Sequence, residues 1–184
     1  MKTVARMMAV RSILYVCKAG AQVTDLIVQL DLGIGGGISL PNGTLSDIDN
    51  TGYNGIGKLR LHGVLPLNIT GMAMYNRLPN KVGGESDQQW MFGGGLEYAM
   101  MSLVVHPYIG GDVFYTSFTN SAAGSPTKSR GGAGIGIGAI FGLPGSGGID
   151  VSAKYQMMNL MGKDSGEETL SQISINAAWM FNIL

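Results

Sequence analysis

Val28-Gln29-Leu30-Asp31-Leu32-Gly33-Ile34-Gly35-Gly36-Gly37-Ile38-Ser39-Leu40 alternates strictly. Val28, Leu30, Leu32, Ile34, Gly36, Ile38 and Leu40 fall on one face, and Gln29, Asp31, Gly33, Gly35, Gly37 and Ser39 on the other. Successive side chains of a strand point to opposite sides, so a period of two over this length predicts a strand with one apolar and one polar face.

The same signature recurs seven times. Tyr53, Leu59, Leu61 and Leu65 oppose Asn54, Lys58, Arg60 and His62, and over 70–78 Met72, Met74 and Leu78 oppose Ala73, Tyr75 and Arg77. Over 88–100, Trp90, Phe92, Leu96, Tyr98 and Met100 oppose Met91, Gly93, Gly95 and Glu97; over 104–117, Val105, Ile109, Val113 and Tyr115 oppose His106, Asp112 and Thr116. Ala133, Ile135, Ile137 and Phe141 then face away from Arg130 and a file of glycines. Ile149, Val151, Ala153, Tyr155 and Met157 oppose Asp150, Ser152, Lys154 and Gln156, and Ile173, Ile175, Ala177, Trp179 and Phe181 oppose Gln172, Ser174 and Asn176. The expectation is an all-β, eight-stranded antiparallel up-and-down meander. Its connections alternate in length: 41–52, 79–87, 118–129 and 159–169 are long and polar, and those between are shorter, which gives one ragged end and one trimmed end.

Composition narrows what such a meander can be. Of 184 residues only 12 are Lys or Arg and 12 Asp or Glu, while 30 are glycine and 6 proline. A chain that is 45% hydrophobic has enough apolar surface to bury, which argues against disorder. No uninterrupted apolar window of about 18 residues exists to form a spanning helix. Residues 1–21 carry Lys2, Arg6, Arg11 and Lys18, no acid, and end in Ala19-Gly20-Ala21, the pattern of a cleaved secretory signal peptide. Its removal leaves 22–184 as the barrel, with 8 basic and 12 acidic residues, and an acidic chain lacks the basic face that nucleic acid requires. Cys17 is the only cysteine, so no intrachain disulfide can form.

A lipocalin-like soluble barrel would turn the polar face to water. Nine charges, Asp31, Lys58, Arg60, Arg77, Glu97, Asp112, Arg130, Asp150 and Lys154, are too few for eight solvated strand faces. The file Gly132, Gly134, Gly136, Gly138 would present bare backbone to water, whereas a narrow lumen needs small residues to admit larger ones. Aromatic residues agree. Tyr53, Trp90 and Tyr115 fall near one end of the strands, and Tyr98, Phe141, Trp179 and Phe181 near the other, all on the apolar face, as two membrane interfaces would select. The polar face is therefore expected inside, its nearly balanced charges forming a network of ion pairs.

Motifs with other meanings fall away. Gly134-Ile135-Gly136-Ile137-Gly138-Ala139 fits the dinucleotide pattern but is followed by the turn Gly142-Leu143-Pro144-Gly145 rather than a helix. His62 and His106 have no Cys, Asp or Glu at ligand spacing and lie on the polar face, so no cofactor, metal or catalytic site is expected. Met72, Met74, Met100, Met101, Met157, Met158 and Met161 read as adaptable apolar surface facing lipid.

The chain resembles the small bacterial outer-membrane barrels of the OmpA/OmpX-like superfamily. The resemblance spans 22–184, and its most specific piece is Gln172-Ile173-Ser174-Ile175-Asn176-Ala177-Ala178-Trp179-Met180-Phe181, similar to that group's C-terminal assembly strand. It implies an integral outer-membrane protein, with outer-membrane lipid and the barrel-assembly machinery as partners and a role in envelope integrity, adhesion or surface interaction through loops that could take an extracellular ligand. The rivals are a small OmpW-like channel for polar or amphipathic solutes and an outer-membrane lipid-modifying enzyme.

Overall fold

The computed structural model describes residues 29–62, 66–100, 105–120, 127–143 and 147–183. The leader expected over 1–21, with Cys17, lies outside the described residues, as do Val28, Leu65, Met101 and Pro144.

Eight antiparallel strands close into a single barrel in chain order. They are β1 (Gln29–Asn42), β2 (Gly52–His62), β3 (Leu67–Pro79), β4 (Ser86–Ala99), β5 (Val105–Asn120), β6 (Lys128–Leu143), β7 (Gly147–Met161) and β8 (Ser171–Asn182), with one short helix, α1 (Thr44–Ile48), between β1 and β2. Pairing of β1 with β8, from Asp31 opposite Asn182 to Asn42 opposite Ser171, closes the cylinder and leaves no sheet edge. Backbone groups thus find partners without water, which a chain crossing lipid must achieve.

The four connections at one end cover 43–51, 80–85, 121–127 and 162–170, and those at the other cover 63–66, 100–104 and 144–146. We call these the loop end and the turn end. β5 and β6 have 16 residues each, more than the roughly 9–11 that a tilted strand needs to cross a bilayer, so part of the sheet stands clear of the apolar band.

Outward side chains are apolar and exposed around the whole circumference, among them Ile34, Ile69, Val113, Ile135 and Ile137. Tyr53, Trp90 and Tyr115 lie outward toward the loop end, and Tyr98, Phe141, Trp179 and Phe181 outward toward the turn end, all between 41% and 54% exposed. Neighbouring rings touch within each belt: Trp90 stacks on Phe92 with centroids 6.0 Å apart, and Trp179 meets Phe181 at 6.4 Å. A soluble protein would not leave so continuous an apolar surface uncovered.

One strand has the opposite phase from that expected. In β3, Met72, Met74 and Leu78 are buried in the lumen, while Ala73, Tyr75 and Arg77 point outward. The phase is set lower in the strand, where Leu67 and Ile69 take the lipid face and Asn68 and Thr70 the lumen. Register then carries it upward, because Met72 lies opposite Lys58 and Asn76 opposite Gln89, both lumen residues. Arg77 therefore leaves the interior network in which the sequence placed it. Met158 is likewise buried inside, so these methionines fill the lumen rather than face lipid.

Candidate functional site

The interior is assembled by alternation: each strand sends every second side chain inward, and the register decides which of them meet. Arg60 of β2 lies fully buried between two acids from distant strands. Its Nε donates to Glu97 Oε2 at 2.8 Å and its Nη2 to Asp150 Oδ2 at 2.6 Å. Lys58, one lumen position toward the loops, reaches the same pair, with Nζ 2.6 Å from Glu97 and 2.8 Å from Asp150. Tyr108 completes the group. Its hydroxyl accepts from Lys58 at 3.1 Å and donates to Asp150 Oδ1 at 2.7 Å, while its ring lies under both cations, 4.8 Å from Lys58 Nζ and 5.1 Å from the Arg60 guanidinium. Two positive and two negative charges are thus neutralised across the barrel from strands β2, β4 and β7, with the aromatic face of β5 as a fifth partner.

A second pair, Lys154 and Asp112, spans β7 and β5. At the turn end His62 Nε2 lies 2.8 Å from Asp31 Oδ2. Toward the loops the lumen becomes a neutral hydrogen-bonded layer. Ser39 donates to Asn76 at 2.7 Å and accepts from Asn54 at 3.0 Å, and Gln172 donates to Gln156 at 3.0 Å.

Apolar side chains interleave with that layer: on β3 Met74 lies on the turn side of Asn76 and Leu78 on its loop side, and on β4 Met91 lies on the turn side of Gln89. Met74, Leu78, Met91, Phe114 and Met158 belong to one buried cluster that also takes in Leu45 of α1. The sequence predicts a polar lumen; the structure fills it with polar and apolar side chains together. The reason is the β3 phase, which brings Met74 and Leu78 inside. The space left beside Lys58, Thr70, Met72, Asp112 and Lys154 is a cavity of about 10 Å³, room for about one water molecule.

Six of the nine expected charges therefore line the interior, namely Lys58, Arg60, Glu97, Asp112, Asp150 and Lys154, with Asp31 at the turn-end rim. Arg130 sits at the loop end, where it donates to Asp164 at 2.7 Å and Glu167 at 2.9 Å and so ties the β7–β8 loop to β6. Glu167 also accepts from Asn159 at 2.9 Å and from the Asp164 backbone at 2.8 Å. These hydrogen bonds, that of Arg130 first, hold its carboxyl down at about 2. Thr44 of α1 hydrogen-bonds Glu168, so the first and fourth loops are joined.

Asp49, in the loop between β1 and β2, has no periodicity around it that flags burial. It pairs with Asn80 in an isolated bridge and is 2% exposed. Burial, reinforced by the neighbouring Asp87 carboxyl, pushes it up to about 7. An acid whose proton is held more tightly in the folded form favours that form at low pH and loses the benefit as pH rises through about 7. Exchange protection of amides 43–51, corrected for intrinsic rates, is accordingly expected to be higher at pH 5.5 than at pH 8.5. Asp49→Asn should abolish the difference, and equal pH dependence in that variant would refute the assignment.

Among the described residues no group of three His, Cys, Asp or Glu side chains is placed to hold a metal ion. Gly134–Ala139 lies wholly within β6, as a lumen-lining strand rather than a phosphate loop.

A closed antiparallel cylinder with an apolar band, two aromatic belts and an ion-paired interior is a transmembrane β-barrel. No protein-family model and no curated protein matches the sequence, but solved structures match the fold. Neisserial surface protein A superposes with a TM-score of 0.61 at 15% identity, covering 85% of this chain and 96% of that one. The N-terminal β-barrel domain of Pseudomonas aeruginosa OprF gives 0.55 at 11% identity, covering 83% and 97%. Ail, the attachment invasion locus protein of Yersinia pestis, gives 0.51 at 14%, covering 84% and 99%. The architecture is that of the small eight-stranded outer-membrane barrels, of OmpA/OmpX-like form.

Proposed function

We propose that this protein is a non-enzymatic integral outer-membrane barrel whose filled lumen is a rigid mount for its four loops, which serve envelope integrity or contacts at the cell surface. The observation that carries this reading is the occlusion of the lumen twice over, by the Arg60–Glu97–Asp150–Lys58–Tyr108 network and by the methionine-rich packing on its loop side. A charge network alone could part to admit solute, but Met74, Leu78, Met91 and Met158, interleaved with the buried Asn76 and Gln172, pack the lumen on the loop side of that network as well. Bonds that fix the loops, Arg130 of β6 to Glu167 and Thr44 to Glu168, support a surface that is shaped rather than merely trailing. Ail, which shares the architecture, is named for attachment and invasion.

The test is reconstitution in a planar bilayer. The expected result is no discrete conductance and no flux of small sugars into liposomes, from protein whose gel mobility changes on boiling as a folded barrel's does. Stepwise conductance from such protein would replace this reading with the channel.

A further inference from the structure

Among the described residues, the outward faces of the eight strands carry one charged side chain, Arg77, near the loop end of β3. Its Nε donates to Ser86 Oγ at 3.1 Å and its Nη1 to Tyr53 Oη at 3.4 Å, and no described carboxylate lies within ion-pair distance. The contrast with the interior is sharp, where Lys58, Arg60 and Lys154 each meet a carboxylate. A guanidinium is tolerated on the lipid face only near an interface, and one without an acidic partner seeks a bidentate oxyanion. Because Tyr53 Oη and Ser86 Oγ accept from Arg77, the Tyr53 hydroxyl keeps its own hydrogen to donate to another acceptor.

The surface below Arg77 is also unusual. Tyr75 and Trp90 form an aromatic wall, with centroids 4.9 Å apart. Next to it, toward the middle of the membrane, the outward positions are small: Gly55 lies opposite Tyr75, Gly57 opposite Ala73 and Gly71 opposite Leu59 across β2 and β3. A Cβ on Gly55 would meet nothing within 4 Å, and one on Gly57 only the Ala73 carbonyl at 3.9 Å. Internal crowding therefore does not demand these glycines, and their effect is a shallow apolar trough running down from the arginine.

We propose that Arg77, with Tyr53 beside it, binds the phosphate of a phosphorylated glycolipid in the outer leaflet, whose acyl chain lies along the Gly55–Gly57–Ala73 trough. This rests on the outer-membrane reading, which places the loop end at the outer leaflet. The charge of Arg77 is complementary to the phosphate, and the trough begins where the headgroup ends.

The test uses the folded barrel in octyl glucoside and native mass spectrometry, with three probes: bisphosphorylated lipid A, the same lipid stripped of phosphate, and phosphatidylglycerol. Wild type is expected to retain bisphosphorylated lipid A about tenfold more tightly than the stripped form, the worth of one charge-assisted hydrogen-bonded pair. Arg77→Gln should erase that difference and Arg77→Lys restore part of it. Equal retention by wild type and Arg77→Gln would overturn the site, and phosphatidylglycerol binding as tightly as lipid A would overturn the choice of glycolipid. Boiled and unboiled gel mobility establishes that each variant is folded, and a conducting wild type would refute the closed-lumen reading without touching this one.

Discussion

Arg60→Ala is expected to destabilise the barrel by about 3–5 kcal/mol, the cost of leaving buried charge without its partner. Arg60 is 0% exposed and is the largest side chain wholly enclosed in the lumen. Its removal leaves two carboxylates, Glu97 and Asp150, to share the single ammonium of Lys58. The loss should appear as a lower midpoint in urea unfolding from lipid vesicles, followed by tryptophan fluorescence. Arg60→Met combined with Glu97→Leu removes one charge of each sign and keeps the volume, so most of the stability should return, because a paired interior charge contributes little beyond what an apolar replacement supplies. An Arg60→Ala midpoint equal to wild type would mean that the interior charges are hydrated rather than paired. The same variant is expected to remain non-conducting, since the packing of Met74, Leu78, Met91, Phe114 and Met158 is untouched. Conductance in Arg60→Ala would show that the ion pairs alone close the lumen.

Most of this architecture could be read from the chain because alternation is a local signal. β1 and β8 carry apolar residues on one face and Asp31, Ser39, Gln172, Ser174 and Asn176 on the other, so a single strand announces its own phase. β3 does not. Over 70–78 both faces mix small, polar and apolar residues, and the decisive Leu67 and Ile69 lie just before that window. Once the lumen contains apolar side chains, the rule that inward means polar fails for the strands that carry them, and Met72, Met74 and Leu78 follow the fold rather than the rule. Ion-pair partners were illegible for a different reason. Arg60 meets Glu97 and Asp150 across the barrel, at sequence separations of 37 and 90, and only the summed stagger of several strands brings them level. Asp49 lies in a loop, where no periodicity exists to flag burial.

Gly138→Val is expected to prevent closure of the barrel or to cost at least about 1–3 kcal/mol, the usual penalty of overfilling a packed interior. Valine is a better strand residue than glycine, so propensity alone predicts a gain. The expected loss arises from Tyr108, whose ring and hydroxyl occupy the place a Cβ would take. Tyr108 cannot move aside without giving up its bonds to Lys58 and Asp150, so crowding at β6 is transmitted to the charge network. The rest of the file is held in the same way. A Cβ on Gly134 would lie 2.6 Å from Asp112 Oδ1, one on Gly136 2.5 Å from the Lys154 side chain, and one on Gly132 against Phe114. Each glycine of the file Gly132, Gly134, Gly136 and Gly138 therefore corresponds to one inward neighbour on β5 or β7. Gly55→Val is the control, because its Cβ enters open space and the propensity gain should stand without a cost. Refolding yield into vesicles, read from the heat-dependent gel shift, should fall steeply for Gly138→Val and stay at or above wild type for Gly55→Val. If the two variants refold alike, glycine in β6 reflects something other than the space its neighbours need. If they diverge, the glycine content divides into positions fixed by the filled interior and positions free of it, and only the former limit how the lumen can be redesigned.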